Sequence, residues 1–196
     1  MDFIMPVFDT VKAWQILFLT LAISWLSPSY AAEFTVDYAH INKIGNGYTL
    51  NAQIDYPLTP RIKEALSNGV PITFLQQVEI THSLPILGDY WQWDTQLWST
   101  ELRYELRYHA LTSQYVVRAL DTGNYRNFIS LDEALSALGN IAPLTLPPKH
   151  LTDTDNLVVR IRSGLDLFAL PTPMRPGALI SKKWQVTSEW AEATWP

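Results

Sequence analysis

Few residues in this chain have the types and the spacing that chemistry needs. The four histidines, His40, His82, His109 and His150, lie far apart. None falls into a His-x-His or His-Glu-x-x-His pattern that would set two imidazoles on one metal ion. His109 follows a run of alternating polar and apolar residues and stands a few positions before a turn, where an imidazole can act as a general base or ligand. The same place suits a polar strand residue bonded to a backbone carbonyl, and the sequence sets no carboxylate beside it. Asp153, Thr154, Asp155 and Asn156 resemble the start of a calcium loop, but Leu157 and Val158 stand where that loop needs an oxygen ligand and then glycine. A turn before a strand is the better reading. No Gly-x-Ser-x-Gly elbow or phosphate loop is present, and Ser163-Gly164 falls inside a strand pattern, where glycine is expected to mark a bulge. With no cysteine, the chain has no thiol nucleophile, no thiolate ligand and no disulfide. No cofactor and no metal are expected.

The aromatic residues are the stronger signal. Eight tryptophans are many for 196 residues. Tyr90, Trp91, Trp93 and Trp98 gather in one short approach to the central strand pattern. Trp91 and Trp93 share a face if that piece is extended, which makes a platform for a sugar ring, a peptide or a membrane interface. Packing at the core or a sheet edge is the competing use of the same rings. Beyond them, Arg103, Arg107 and His109 lie on the polar side of the strand that follows. The expected binding residues are therefore Tyr90, Trp91, Trp93, Arg103, Arg107 and His109.

What must position them is a hairpin. In Leu97 to Leu120, the residues Leu102, Tyr104, Leu106, Tyr108 and Ala110 alternate with Glu101, Arg103, Glu105, Arg107 and His109, a strand with one buried and one wet face. Thr112 to Gln114 break the pattern, and Tyr115, Val116, Val117 and Leu120 resume it. Upstream, Phe34, Val36 and Tyr38 and then Tyr48 to Tyr56 alternate around Gly45-Asn46-Gly47, a first hairpin. Thr59-Pro60 caps a short helix that ends at Asn68-Gly69. Val70 to His82 returns to strand, and Leu84 to Asp94 reads as a connection. Downstream, Tyr125 to Ile129 is a brief strand, and Ser130 with Glu133 forms a capping box for a helix with Leu131, Leu135 and Leu138 inward and Gly139 at its end. Pro143, Pro147 and Pro148 mark a loop, Leu157 to Leu167 a strand, Pro171, Pro173 and Pro176 an extended crossing, and Trp184, Val186, Ser188 and Trp190 a last strand. Seven or eight strands in hairpins with two short helices predict a mainly β fold, an antiparallel β-sandwich or partly open barrel whose ends the helices plug. Alternating rather than continuous apolar runs argue against a parallel sheet.

The first 31 residues read as an address. Ala13 to Leu26 is apolar, preceded by Lys12 and followed by Ser27, Pro28, Ser29, Tyr30, Ala31 and Ala32. This is a secretory signal peptide with cleavage expected after Ala31. Fourteen helical residues span about 21 Å, short of the roughly 30 Å of a hydrocarbon core, which disfavours the alternative of an uncleaved anchor. Residues 32–196 then form one domain. It is expected in the periplasm, free or held at the inner membrane by a retained segment, with membrane contact only in the second case. A net charge of −5 gives no footprint for nucleic acid.

Five stretches together resemble one family: Ala65 to Phe74, Arg103 to Tyr115, Ser130 to Leu138, Leu165 to Pro173 and Ser181 to Trp190. In that order they are similar to the bacterial exported proteins grouped as DUF4390. The resemblance implies a signal peptide and no assigned reaction, and it carries no catalytic residue over. It also implies a gene often beside an envelope sensor kinase, so such a protein is an expected partner. The function expected is a binding or accessory module of the cell envelope with a protein or peptide partner. The alternatives are a glycan-binding module using the aromatic patch and, less favoured, a hydrolase built on His109 and acidic neighbours.

Overall fold

The computed structural model describes residues 33–85, 92–151 and 156–196. The predicted signal peptide, Tyr90, Trp91 and the Asp153 to Asp155 stretch lie outside the described residues.

The first hairpin forms where the alternation predicts it, but a register slip between Val36 and Tyr38 turns Tyr38 outward, 45% exposed, and puts Ala39 and Ile41 in the core instead. Strands β1 (Thr35–Ile44) and β2 (Gly47–Asp55) are antiparallel, and the two-residue turn between them holds Gly45 at φ +58°, a conformation that glycine adopts without cost. Helix α1 (Pro60–Ser67) begins where Thr59 Oγ1 accepts the Ile62 N–H at 3.3 Å, and it ends where Gly69 sits at φ +79°. Ile62, Ala65 and Leu66 are its buried face. Strand β3 (Ile72–Pro85) follows and pairs along its whole length with β4 (Gln92–His109). At about 3.3 Å per residue, the 18 residues of β4 run roughly 60 Å. It is the longest strand, and it starts well before the alternating stretch. Leu84, Pro85 and Gln92 to Asp94, which read as parts of a connection, are strand, with Leu84 opposite Trp93.

His109 and Gln114 close the turn to β5 (Gln114–Ala119), and β6 (Tyr125–Phe128) adds to it. Helix α2 (Leu131–Gly139) is capped by Ser130, whose Oγ accepts the Glu133 N–H at 3.2 Å. Ala134 and Leu138 are buried, with Leu131 and Leu135 only half-buried, so the deep stripe is narrower than the leucine spacing predicts. Gly139 does not stop the helix by a left-handed turn. A Cβ there would lie 2.0 Å from the Ile54 carbonyl oxygen, so glycine is needed for close approach to β2.

Strand β7 (Asn140–Leu146) pairs with β2, which corrects the proline-loop reading of this stretch. Proline is tolerated because β7 is an edge strand and its register slips between Leu50 and Ala52, beside Pro143. Strand β8 (Leu157–Leu165) pairs with β3 without a register break, so Gly164 marks no bulge. Its Cβ would stand 3.2 Å from Thr187 Oγ1, where the C-terminal segment crosses over. The proline-rich stretch contains a third helix, α3 (Arg175–Ile180), with Pro176 in its first turn. After it, Trp184, Val186 and Ser188 are buried alternately as predicted, but only the two-residue β9 (Ala191–Glu192) joins a sheet.

Two antiparallel sheets result, β1-β2-β7 and β6-β5-β4-β3-β8-β9, a sandwich and not a closed barrel. Phe34, Tyr56 and Phe74 pack ring to ring at 4.8–5.9 Å in its core. The C-terminus ties one edge of the sandwich. Ala193 donates to the Val159 carbonyl at 2.8 Å, while Thr194 donates to Ala39 and accepts from Ile41 on the other sheet.

Candidate functional site

The outer face of the six-stranded sheet carries the charged residues that the alternation places there. Glu101 accepts Gln77 Nε2 at 2.7 Å and Arg103 Nη2 at 3.2 Å. These two bonds hold its carboxyl below the usual glutamate range, the Gln77 bond contributing most. On the next strand, Arg162 Nε donates to Gln77 Oε1 at 2.6 Å, and its guanidinium lies 4.4 Å from the centre of the Trp190 ring. Arg160, 5.5 Å from the same ring, bonds Glu79 and reaches Asp94 at 3.4 Å. Of these groups, Gln77, Glu79, Glu101 and Arg162 border a groove of about 270 Å³ walled by Trp190. Arg160 and Arg162 read from the sequence only as positions in one strand and Trp190 as one in another, because nothing local shows that the C-terminal segment folds back over β8. Opposite charges face each other across the strands only in part. Glu105 opposes Arg118, but Arg103 opposes Leu75 and Arg107 opposes Val116, and the Glu101–Arg103 pair lies within one strand.

The expected binding residues do not converge on one site. Trp93 and His109 sit near opposite ends of β4, separated by roughly 50 Å of strand. Arg103 reaches Asp166 at 3.9 Å as well as Glu101, and Arg107 is exposed on the same face. His109 is exposed at the hairpin turn, and among the described residues no carboxylate is hydrogen-bonded to it. No three His, Asp or Glu side chains among the described residues are grouped to hold a metal ion.

What the sequence could not show is the open edge of β4. Strand β5 pairs only with Tyr104 to His109, and among the described residues nothing pairs with Gln92 to Leu102 on the side away from β3. The Arg103 carbonyl accepts the Leu120 N–H at 2.8 Å, and the Arg103 N–H faces Asp121 Oδ2 at 3.4 Å, so both groups point away from β3. With the period of two, the N–H and C=O of Glu101 and Ser99 point the same way, into solvent. Along this edge Trp93 is 64% exposed, Leu84 opposite it 46%, and Leu97, at a register break, 37%. Trp98, by contrast, packs half-buried against the core. The remaining tryptophans among the described residues are buried or half-buried, which leaves Trp93 as the exposed ring of this group.

Sequence comparison bears on the whole of this domain. The profile of the domain of unknown function DUF4390 matches residues 31–194. The chain belongs to the DUF4390 family. No curated protein and no solved structure is significantly similar to it. The DUF4390 match spans both sheets, and the apolar Ala13 to Leu26 segment precedes it. Among the described residues, no helix is long and apolar enough to cross a membrane.

Proposed function

We propose that this DUF4390 protein is an exported binding module of the cell envelope whose partner is a protein or peptide. The observation that carries the reading is the open edge of β4, with Trp93 and Leu97 exposed on that strand and Leu84 exposed beside them on β3. Long, flat, apolar edge strands are a hazard that folded proteins cover or interrupt, so one kept open in an exported domain fits a surface that is covered in use. An enzymatic role draws less support, since His109 has no hydrogen-bonded acidic partner among the described residues and the groove beside Trp190 is bordered by side chains already paired to one another. The apolar N-terminal segment supports export, and the family resemblance makes an envelope sensor kinase the first partner to try.

The test is retention of envelope components on the immobilised domain, 32–196, against the Trp93→Ser and Leu97→Ser variants. The reading expects one protein held stoichiometrically by the wild type and lost by both variants. Retention of polysaccharide in its place would favour the glycan reading, and retention of nothing would remove the binding role.

A further inference from the structure

We infer that the occupant of the β4 edge is an extended segment of another protein, added as an antiparallel strand, with basic residues six positions apart and apolar residues between. The inference rests on the binding role proposed above and gives it a register.

The backbone sets the mode. Ser99 and Glu101 present N–H and C=O groups with no partner among the described residues at an open stretch of a six-stranded sheet, which is what strand addition requires. The side chains set the chemistry. On the outer face, the open segment shows Asp94, Gln96, Ser99 and Glu101, acidic at both ends with no cation between. Asp94 already accepts from Ser83 and Arg160, and Glu101 from Gln77 and Arg103, yet their side chains remain 41% and 44% exposed. On the inner face Trp93, Trp98 and Leu102 offer apolar surface. The extra residue at Leu97 fixes the spacing. Across β3, Glu101 and Asp94 face Gln77 and Ser83, six residues apart on the partner though seven apart on β4. A strand on the other side must also keep an even spacing to hold both positions on the outer face, and six reproduces the register that β3 adopts.

A second copy fits poorly. The symmetric antiparallel register that uses the whole segment sets Trp93 against Leu102 but also Asp94 against Glu101, twice by symmetry. Like charges directly opposite destabilise a strand pair.

The test uses the peptide acetyl-Val-Lys-Val-Thr-Ile-Thr-Val-Lys-Ile-amide, titrated into the exported-length chain, 32–196, while amide hydrogen exchange is read at Ser99 and Glu101. The expected result is saturable binding that slows exchange at both amides. Replacing both lysines by glutamate should weaken it at least about fivefold at low salt. Ser99→Pro removes an N–H that faces solvent in the free protein and should weaken binding about tenfold. If that variant does not fold, a peptide N-methylated at its central residues serves in its place on the wild-type chain. Absence of binding, equal binding by the glutamate peptide, or slow exchange at Ser99 and Glu101 before any peptide is added would overturn the inference. So would a homodimer abolished by Ser99→Pro, which would make the second copy the occupant. If an envelope partner is retained equally by wild type and Ser99→Pro, the strand register is wrong while the binding role stands. Retention of no partner removes the role itself.

Discussion

Replacing Tyr56 by phenylalanine removes one oxygen from the middle of the sandwich, and the cost can be worked out bond by bond. Ser163 Oγ has a single hydrogen, which it donates to the Leu75 carbonyl at 2.9 Å. The 3.0 Å contact between Tyr56 and Ser163 must therefore have the tyrosine as donor. The phenolic oxygen in turn accepts Gln76 Nε2 at 2.9 Å, and the second hydrogen of that amide goes to the Leu138 carbonyl at 2.9 Å. This chain of bonds ties β3, β8, α2 and the end of β2 together where Gln76 is fully buried. Tyr56→Phe leaves one Gln76 N–H without an acceptor, beside an Oε1 that has no hydrogen-bond partner. A buried donor so stranded costs about 1–3 kcal/mol. For a domain of this size, that is a fall in Tm of about 2–12 °C. Thermal and urea unfolding followed by circular dichroism would measure it, and a loss under about 0.5 kcal/mol would refute the network as drawn. The same residue predicts a pH effect. Burial pushes the Tyr56 phenol up to about 12, from the ordinary tyrosine value of 10.0. The folded state holds this proton more tightly than the unfolded state, so the contribution is complete below pH 10 and is lost as pH rises toward 12. It amounts to about 2–3 kcal/mol. Tyr56→Phe should lack this part of the alkaline decline, and parallel declines in the two proteins would contradict it.

Other changes test the packing of the elements. Gly139→Ala drives a methyl group against the Ile54 carbonyl, backbone against backbone, and should cost about 1–3 kcal/mol in urea unfolding. Thr59→Ala removes both the helix cap and a 2.9 Å bond to the Lys183 carbonyl, which fastens the C-terminal segment. Its expected cost is about 0.5–2 kcal/mol, and proteolysis should begin in that segment sooner than in the wild type.

Where the sequence was legible, one face was buried and the other wet. The alternation in β2 and β8 and around Leu106 places the core and the outward charges correctly, whereas in β1 a register slip after Val36 reverses it, and the Thr59 and Ser130 caps form as their spacing predicts. The legible features are local. What was hidden depends on partners distant in sequence. Strand β7 carries a proline because it lies on an edge beside a register slip, and no property of Asn140 to Leu146 alone says so. The buried alternation from Trp184 to Ser188 is real, but this stretch crosses β8 irregularly, with Ser188 donating to the Ser163 carbonyl, and forms no continuous ladder. Helix α3 was masked by its prolines. Arg103, Arg107, His109 and Trp93 were placed together by their nearness in sequence, but a strand spreads them over tens of ångströms, and the Trp190 groove is made by residues from four separate stretches. The open edge itself depends on where β5 stops pairing, which periodicity does not encode.

The central claim is that β4 from Gln92 to Leu102 is bonded on one side only, and amide hydrogen exchange in the free domain tests it most directly. Thr100 and Leu102, whose backbone groups alternate with those of Ser99 and Glu101 and so face β3, should exchange slowly. Ser99 and Glu101 should exchange near the rate of unfolded chain. Slow exchange at all four amides would mean that the edge is already covered, and the account of this surface would fall.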